Sequence, residues 1–168
     1  MRARRPSGWP VPEEQSRHRL DEIVLDEVSL APASPEQEHE RNVAIADLLK
    51  DNYFEPVGGH GGPYHLHIGL LENRLDLEIR GGAFSARHLL SLSPFRRIVR
   101  DYMEICRSYN EALRNASPVQ IESIDMGRRG LHNEGAEMLR DRLEGKVKTD
   151  VATSRRLFTL ICALHWRG

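Results

Sequence analysis

The sequence predicts an α+β fold in which a small antiparallel sheet packs against about four helices, three of them consecutive in the C-terminal half. Two segments near the middle of the chain alternate apolar and polar residues, as half-buried strands do. Serine–proline pairs, which are typical of helix starts, occur both before and after these segments. A chain that runs helix, sheet and then three helices favours helices layered on one face of the sheet.

The helix starts carry capping residues. Ser34 and Ser117 are each followed by proline and, three residues after the serine, by glutamine, which is the capping-box pattern. A further helix is predicted after Ser93, and another is capped by Asp150. Two glycines within residues 127–130 predict an interruption of the helix that follows Ser117. The predicted first helical residues are Pro35, Pro94, Pro118 and Val151.

The apolar residues of these helices predict which faces are buried. In the first helix they lie on one side, which predicts burial of Val43, Ala44, Ile45 and Leu48. The last helix has the densest apolar pattern of the four. We therefore expect it to be a core element, with buried Leu157, Phe158 and Ile161.

The sheet is predicted from alternation. Residues 64–70 and 75–79 each alternate apolar with polar or small residues, and they read as an antiparallel hairpin that turns near Glu72. A short strand is predicted from Leu20 to Leu25, and another near residues 87–92. No internal repeat is present.

Length and composition indicate one domain preceded by a tail. The chain has 168 residues, of which 39% are hydrophobic and 29% are charged, as in ordinary globular proteins. Residues 1–19 contain prolines and arginines without periodicity, so we predict a disordered, arginine-rich tail. Residues 20–168 are predicted to form a single α+β domain.

Several features predict a cytoplasmic protein without a membrane segment. The longest nearly apolar run, residues 157–164, is far shorter than the ~20 residues that span a bilayer. The basic first residues are not followed by the apolar region of a signal peptide. Cys106 and Cys162 show neither metal-site nor CxxC spacing, so they are predicted to be buried thiols. No cofactor is predicted.

Charge is distributed unevenly along the chain. Residues 1–19 carry five Arg and two Glu, a net charge of +3. Residues 20–86 carry four basic and thirteen acidic side chains, a net charge of −9. Residues 87–168 carry fifteen basic and ten acidic side chains, a net charge of +5. Such asymmetry is typical of chains with interaction surfaces.

Three stretches resemble one bacterial family. They are LSLSPFRRIVRDY at residues 90–102, IDMGRRGLHNEG at residues 124–135, and the last helix from RRLF at residues 155–158 to the closing HWRG. Shorter strings, EHER at residues 38–41 and GGPY at residues 61–64, agree with the same family. The resemblance is to uncharacterised protein family 0262 and covers about residues 20–168. It implies no catalytic residue, because no activity is assigned to that family.

The arginines at helix starts predict an anion-binding face. Two arginines lie in the first turn after Ser93, where free backbone N–H groups attract anions and guanidinium groups complete a phosphate site. A second arginine pair stands between glycines and is followed by histidine. We therefore expect one shared cationic patch formed by Arg96, Arg97, Arg128, Arg129 and His132. The alternative, which the charge balance favours, is that these arginines pair with the acidic residues 20–86.

A second candidate site lies on the predicted hairpin. Alternate residues of a strand point to one face, so His65 and His67 are placed to chelate a metal ion together with Glu72. Separately from the hairpin, Asp125, His132 and Glu134 are candidates for acid/base chemistry beside a phosphate bound at the arginine patch. The alternative interpretation of the hairpin is a polar, solvated face, and the helical C-terminal half favours it.

These observations predict an interaction domain more than an enzyme. The chain lacks a Walker loop, a G-x-G-x-x-G string and a G-x-S-x-G nucleophile turn, which excludes the corresponding nucleotide-binding and hydrolase classes. We expect the arginine-rich helical half to bind a phosphate-bearing or acidic partner, either RNA or an acidic protein. Residues 20–168 have a net charge of −4 and only 6% of all residues are aromatic, so any RNA contact must be local. The competing class is a metal- or acid/base-dependent enzyme that uses His65, His67 and Glu72.

Overall fold

The computed structural model describes residues 17–164, and this part of the chain has the predicted α+β class. Its strands are β1 (Leu20–Leu25), β2 (Phe54–Pro56), β3 (Tyr64–Leu71), β4 (Arg74–Gly81), β5 (Phe84–Ser91) and β6 (Val147–Thr149). Its α-helices are α1 (Pro35–Lys50), α2 (Arg96–Asn115), α3 (Pro118–Leu143) and α4 (Val151–Ala163), and a 3-10 turn at Ser93–Phe95 leads into α2. The predicted order of one helix, a sheet and three helices is confirmed.

The main sheet has the strand order β1-β3-β4-β5. The predicted hairpin is confirmed, because β3 pairs antiparallel with β4 and the turn contains Glu72. Strand β1 differs from the prediction, since it runs parallel to β3 and pairs Ile23 with Leu66. Strands β2 and β6 form a separate antiparallel pair that joins Phe54 to Thr149. The sheet is therefore mostly antiparallel, and its single parallel pair joins strands that α1 separates in sequence.

Three of the four predicted helix starts have their caps formed as hydrogen bonds. The exception is α2, which begins at Arg96 and not at Pro94, and its N-cap Phe95 makes no side-chain cap hydrogen bond. Ser34 Oγ accepts from Gln37 N, while Gln37 Oε1 accepts from Ser34 N, and the same exchange occurs between Ser117 and Gln120. Asp150 caps α4 by accepting from Thr153 N at 2.8 Å. These bonds satisfy N–H groups that a helix start leaves without partners, which explains why the sequence located these starts correctly.

The predicted interruption of α3 is wrong. Helix α3 continues through residues 127–130 without a break and reaches 26 residues. A helical glycine costs only about 1 kcal/mol relative to alanine, and packing against α2 along this stretch outweighs that cost. A Cβ at Gly127 would lie 2.9 Å from Cδ1 of Ile105, so the glycine also permits a close approach of the two helices.

One hydrophobic core joins the sheet to the helices. Within residues 17–164, one face of the main sheet is buried, and it packs on α4 and on the C-terminal part of α3. A small void of about 30 Å³ marks this junction, bounded by Leu66, Ile68, Leu75 and Leu77 of the sheet and by Leu139, Leu143, Leu157, Leu160 and Ile161 of the helices. Helix α4 is the predicted core element, since Leu157, Phe158 and Ile161 are all buried.

The burial prediction for α1 is correct only in part. Ala44 and Leu48 are buried as predicted, but Ile45 is partly buried and Val43 is 45% exposed. The buried face of α1 instead includes Arg41. Val43 lies on the side of α1 that faces α2, where the two helices leave an open groove.

Residues 17–19, which were predicted to belong to the tail, make contacts with the described domain. His18 O accepts a hydrogen bond from Phe54 N at 2.8 Å, and Arg19 O accepts from Tyr64 N at 2.7 Å. Residues 17–19 therefore belong with the fold, and residues 1–16 of the predicted tail lie outside the described residues. Among the helices of residues 17–164, none combines the length and the apolar character needed to cross a lipid bilayer.

Candidate functional site

Arg128 and Arg129 on α3 share one carboxylate of their own helix. Arg128 Nη2 lies 2.6 Å from Oδ1 of Asp125, and Arg129 Nη2 lies 3.0 Å from Oδ2 of the same residue. The hydrogen bond to Asp125 raises the pKa of Arg128. The guanidinium carbon of Arg128 is also 4.8 Å from the ring centre of Tyr109, which ties α3 to α2. Arg128 is thus held in place, while the Arg129 side chain is 73% exposed.

The other predicted pair lies near the start of α2. Arg97 is 87% exposed, and its Nε is 3.7 Å from Oδ2 of Asp101 one turn later. Arg128 lies beside Tyr109 and also forms a side-chain hydrogen bond with Tyr102, while the neighbouring Gly127 packs at Ile105. Ile105 follows Arg96 by nine residues, which is about 14 Å of helix. The predicted single patch is therefore not formed. The carboxylates at 4 Å or less from Arg97, Arg128 and Arg129 come from α2 and α3, and not from residues 20–86.

His132 is packed between α3, to which it belongs, and the helices α2 and α4. Its ring stacks on Tyr102 with centroids 5.2 Å apart, and Nε2 lies 3.1 Å from the Arg155 carbonyl oxygen and 2.9 Å from Thr159 Oγ1. Burial lowers the pKa of His132, and the nearby positive charges of Arg155 and Arg128 lower it further. A histidine kept neutral between three helices is a poor anion ligand. With Asp125 engaged by two arginines, the predicted acid/base set of Asp125, His132 and Glu134 is also not assembled.

The predicted metal set on the hairpin does not come together. His65 and His67 lie on the exposed face of β3, but Glu72 is in the β3–β4 turn, about 16 Å of strand beyond His67. His65 is occupied by neighbours on β1, since Nε2 is 3.1 Å from Asp21 Oδ1 and Nδ1 is 3.2 Å from Glu22 Oε2. Within residues 17–164, no group of three His, Cys, Asp or Glu side chains is placed to hold a metal ion. The exposed side chains of His65 and His67 agree with the alternative interpretation, a polar, solvated face of the hairpin.

The structure reveals a groove between α1 and α2 that the sequence did not predict. It has a volume of about 1000 Å³ and its floor is formed by α4. We call it the α1–α2 groove. The α2 wall contributes Arg96, Val99, Arg100, Tyr102, Met103, Cys106, Arg107 and Asn110, the α1 wall contributes His39, Glu40, Val43, Ala44 and Asp47, and the floor contributes Thr159, Cys162 and Ala163.

Three arginines form a row along the α2 wall of this groove. Arg96, Arg100 and Arg107 recur at the spacing of one helix face, and we call them the arginine row. Arg100 is 63% exposed, and its Nε is 3.6 Å from Oδ1 of Asp101. Only Arg96 was among the predicted site residues. The helical spacing of the other two is visible in the sequence, but the groove that they border requires α1, some fifty residues earlier in the chain.

Both cysteines line the groove, Cys106 on the α2 wall and Cys162 on the floor. Cys162 is buried and Cys106 is partly buried, and both are free thiols, as predicted. Burial raises the pKa of each thiol, and Tyr102 forms a hydrogen bond with Cys106. These thiols therefore stay protonated at neutral pH and behave as small apolar groups.

A second polar cluster lies at the end of the sheet. The Tyr53 hydroxyl donates a short hydrogen bond to Glu55, and burial together with this bond raises the pKa of Tyr53 to about 12. The His18 ring stacks on Tyr64, with Nδ1 3.4 Å from the Tyr64 hydroxyl and Nε2 4.0 Å from Glu55 Oε1. Gly81 leaves room for Tyr64, since a Cβ there would lie 2.6 Å from its Cδ1. The cluster fastens β2, β3 and the start of the described chain to one another.

Comparison with known proteins gives a consistent set of relatives. Residues 17–167 match the model of the uncharacterised protein family UPF0262. The chain is 61% identical to a UPF0262 protein of Phenylobacterium zucineum over 154 residues, which are 92% of this chain and 97% of that protein. It is 62% identical to a UPF0262 protein of Caulobacter vibrioides, with the same coverage, and 57% identical to one of Rhizobium meliloti, over 89% of this chain and 96% of the relative. No solved structure is significantly similar to this fold.

Proposed function

Because the chain belongs to the uncharacterised protein family UPF0262, we propose its function from its own geometry: it is a small interaction domain that binds a phosphate-bearing or acidic partner. The observation that carries the proposal is the arginine row on the α2 wall of the α1–α2 groove. The contacts to the partner are assigned to Arg100 and Arg107, with Arg96 at the end of the row. Arg128, Arg129 and His132 are assigned to the α2–α3–α4 packing.

The charge environment of the row supports this role. An ion pair at the surface, such as the one between Arg100 and Asp101, is worth only about 0–1 kcal/mol, so a partner with several acidic groups can replace it. Arg107 is exposed on the same helix face, about 11 Å of helix beyond Arg100. Several guanidinium groups in one line favour a partner that presents a series of negative charges.

The rest of the groove favours an acidic protein over RNA as the partner. Met103 and Cys106 give the α2 wall an apolar surface that phosphates do not use. Glu40 and Asp47 on the opposite wall confine the negative groups of a partner to the α2 side of the groove. We place this function in the cytoplasm, which agrees with the free thiols of Cys106 and Cys162.

The test uses two polyanions and two matched double variants. Binding of fluorescent poly-L-glutamate and of single-stranded poly(U) RNA is measured by anisotropy at low and high salt. We expect the protein to bind poly-L-glutamate, Arg100→Gln with Arg107→Gln to weaken this binding at least about tenfold, and salt to weaken it steeply. The control variant, Arg129→Gln with Arg140→Gln, removes the same charge from exposed positions of α3.

The outcomes separate the interpretations. Equal loss of binding in the two double variants would show that net charge, and not the arginine row, attracts the polyanion. Binding of poly(U) without binding of poly-L-glutamate would make the partner a nucleic acid. Absence of binding to either polymer at low salt would overturn the proposal.

A further inference from the structure

The α1–α2 groove has the shape and the chemistry of a helix-binding site. We propose that it takes an amphipathic helix of a partner protein, with the apolar side of that helix on the floor, acidic residues towards α2 and basic residues towards α1. The contact with the arginine row rests on the function proposed above. The contacts with the apolar floor and with the α1 wall do not depend on that proposed function.

The length of the groove matches a helix. Along α2 its lining begins at Arg96 and continues turn by turn to Asn110, which is about 21 Å of helix. A partner helix of the same length has about 14 residues. Two helix walls over a helical floor offer the ridges and grooves into which a further helix packs.

The apolar surface of the groove is exposed to solvent in the described chain. Val43 on α1 is 45% exposed, and Met103 on α2 is only partly buried. Methionine adapts its shape to different apolar partners, which is why it is frequent at surfaces that bind helices. Ala44 of the α1 wall, Val99 of the α2 wall and Cys162 of the floor are buried, so the apolar surface continues beneath these side chains.

The two walls carry opposite charges. Arg100 and Arg107 stand on the α2 wall, seven residues apart, and Glu40 and Asp47 stand on the α1 wall with the same separation. Seven residues are about two helical turns, so both pairs repeat at the pitch of a helix lying between them. A free phosphate or a nucleic acid matches the α2 wall alone. A helix with acidic residues on one margin and basic residues on the other matches both walls.

The experiment uses four synthetic peptides of about 16 residues. All four contain the same numbers of leucine and alanine residues. In the mixed peptide the apolar stripe has glutamates on one margin and lysines on the other. In the second peptide both margins carry glutamate, and in the third both margins carry lysine. The fourth has the residues of the mixed peptide in an order without an apolar stripe. Binding to the full chain is measured by fluorescence anisotropy.

We expect the order of the four peptide affinities to change when the charges on the groove walls are changed. The mixed peptide binds tightest to the unmodified protein, by about tenfold over the scrambled one. Asp47→Lys shifts the preference to the all-glutamate peptide, and Arg100→Glu with Arg107→Glu shifts it to the all-lysine peptide. A ranking that stays the same in both variants would overturn the inference.

The apolar contribution has its own variant and control. Val43→Glu places a charge on the α1 wall and should abolish peptide binding. Val24→Glu is the matched control, because Val24 is 43% exposed on the open face of the sheet, and it should leave binding unchanged. Both variants should keep the unfolding midpoint of the unmodified protein within a few degrees.

The two proposals fail in different ways. If poly-L-glutamate binds through the arginine row but the mixed peptide binds no better than the scrambled one, the helix inference is wrong and the proposed function stands. If peptide binding is absent and sedimentation shows a dimer that Val43→Glu dissociates, the groove serves a second copy of the chain, which also overturns the inference. If neither polymer nor peptide binds, both proposals are wrong.

Discussion

Single residues in this fold are fixed by close contacts between rings and backbone. Phe158 is fully buried in α4 and faces Gly135 of α3, where an added Cβ would lie 2.3 Å from its Cζ. Gly130, five residues earlier on the same helix, has no such neighbour within 4 Å of an added Cβ. The same residue type therefore has opposite roles at two positions of one helix.

This difference predicts opposite effects of one substitution. Gly130→Ala should stabilise the protein by about 0.5–1 kcal/mol, because alanine is the better helix former. Gly135→Ala should destabilise it by about 1–3 kcal/mol, because Phe158 must move in a packed core. Urea denaturation of the two variants measures both. Equal stabilisation by both substitutions would mean that α3 and α4 are farther apart than the structure shows.

His132 predicts a pH dependence of stability. Its folded-state pKa is lowered from the ordinary value of 6.5, chiefly by burial and further by Arg155 and Arg128. The unfolded chain therefore takes up this proton first, and the stabilisation is present above about pH 6.5 and is lost as the pH falls below that value. The pKa of His88 is lowered as well, by burial and by Lys146.

The measurement is the free energy of unfolding between about pH 5 and about pH 8. We expect His132→Gln to lower stability at neutral pH and to flatten its decline in acid. The double variant with His88→Gln should flatten it further. An unchanged slope in His132→Gln would contradict the lowered pKa.

The sequence contained part of the residue-level information on the site. The spacing of Asp125, Arg128 and Arg129 places them on one helix face, so their ion pairs were predictable from helix geometry. The role of His132 was not predictable, because its ring partners Tyr102 and Phe158 belong to other helices. The groove was not predictable for the same reason, because its two walls belong to different helices that come together only when both pack on α4.

At the scale of elements, helix ends are tied down by side chains from distant elements. Arg41 of α1 is 8% exposed, and its Nε and Nη2 donate to the carbonyl oxygens of Ala163 and Leu164 at 3.1 and 2.9 Å. These carbonyls end α4 and have no partner further along the helix. Asn52 has a similar role after α1, where its Nδ2 donates to Leu48 O at 2.9 Å and to Leu20 O at 3.0 Å.

The contact of Arg41 predicts a substantial effect of its removal. Arg41→Met should cost about 1–3 kcal/mol, because it leaves two buried carbonyl groups without their donors. Arg41→Lys should be intermediate, since an ammonium group lacks the fork that reaches both oxygens. Lys50→Met, at an exposed position of the same helix, is the control and should change stability by less than about 0.5 kcal/mol. If Arg41→Met behaved like the control, the cap would not contribute to stability.

At the scale of the whole molecule, short-range and long-range features were predictable to different degrees. The helix starts and the β3–β4 hairpin follow from residues that are neighbours in sequence, such as Ser34 with Gln37. The β2–β6 pair joins Phe54 to Thr149, and no local pattern in either three-residue strand indicates the other. The parallel pairing of β1 with β3 was missed for the same reason.

The start of the fold predicts the outcome of two truncations. Removal of residues 1–16 should leave the thermal midpoint unchanged. Removal of residues 1–19 should lower it by several degrees, because Phe54 N and Tyr64 N lose the carbonyls of His18 and Arg19. For a chain of this size, each kcal/mol corresponds to about 2–4 °C. Equal midpoints of the two truncated proteins would show that residues 17–19 contribute nothing.

The position of α4 has a consequence for how the protein is made. A ribosome delivers the chain from its N terminus, so α1 and β2 emerge long before α4 and β6 do. Until then Ala44 and Leu48 have no α4 to pack on, and Arg41 has no carbonyls to bind, because these lie 122 and 123 residues later. The packing of α1 must therefore wait until α4 has been synthesised. A chain released before that point would keep the apolar face of α1 uncovered, which is the kind of surface that chaperones and proteases recognise.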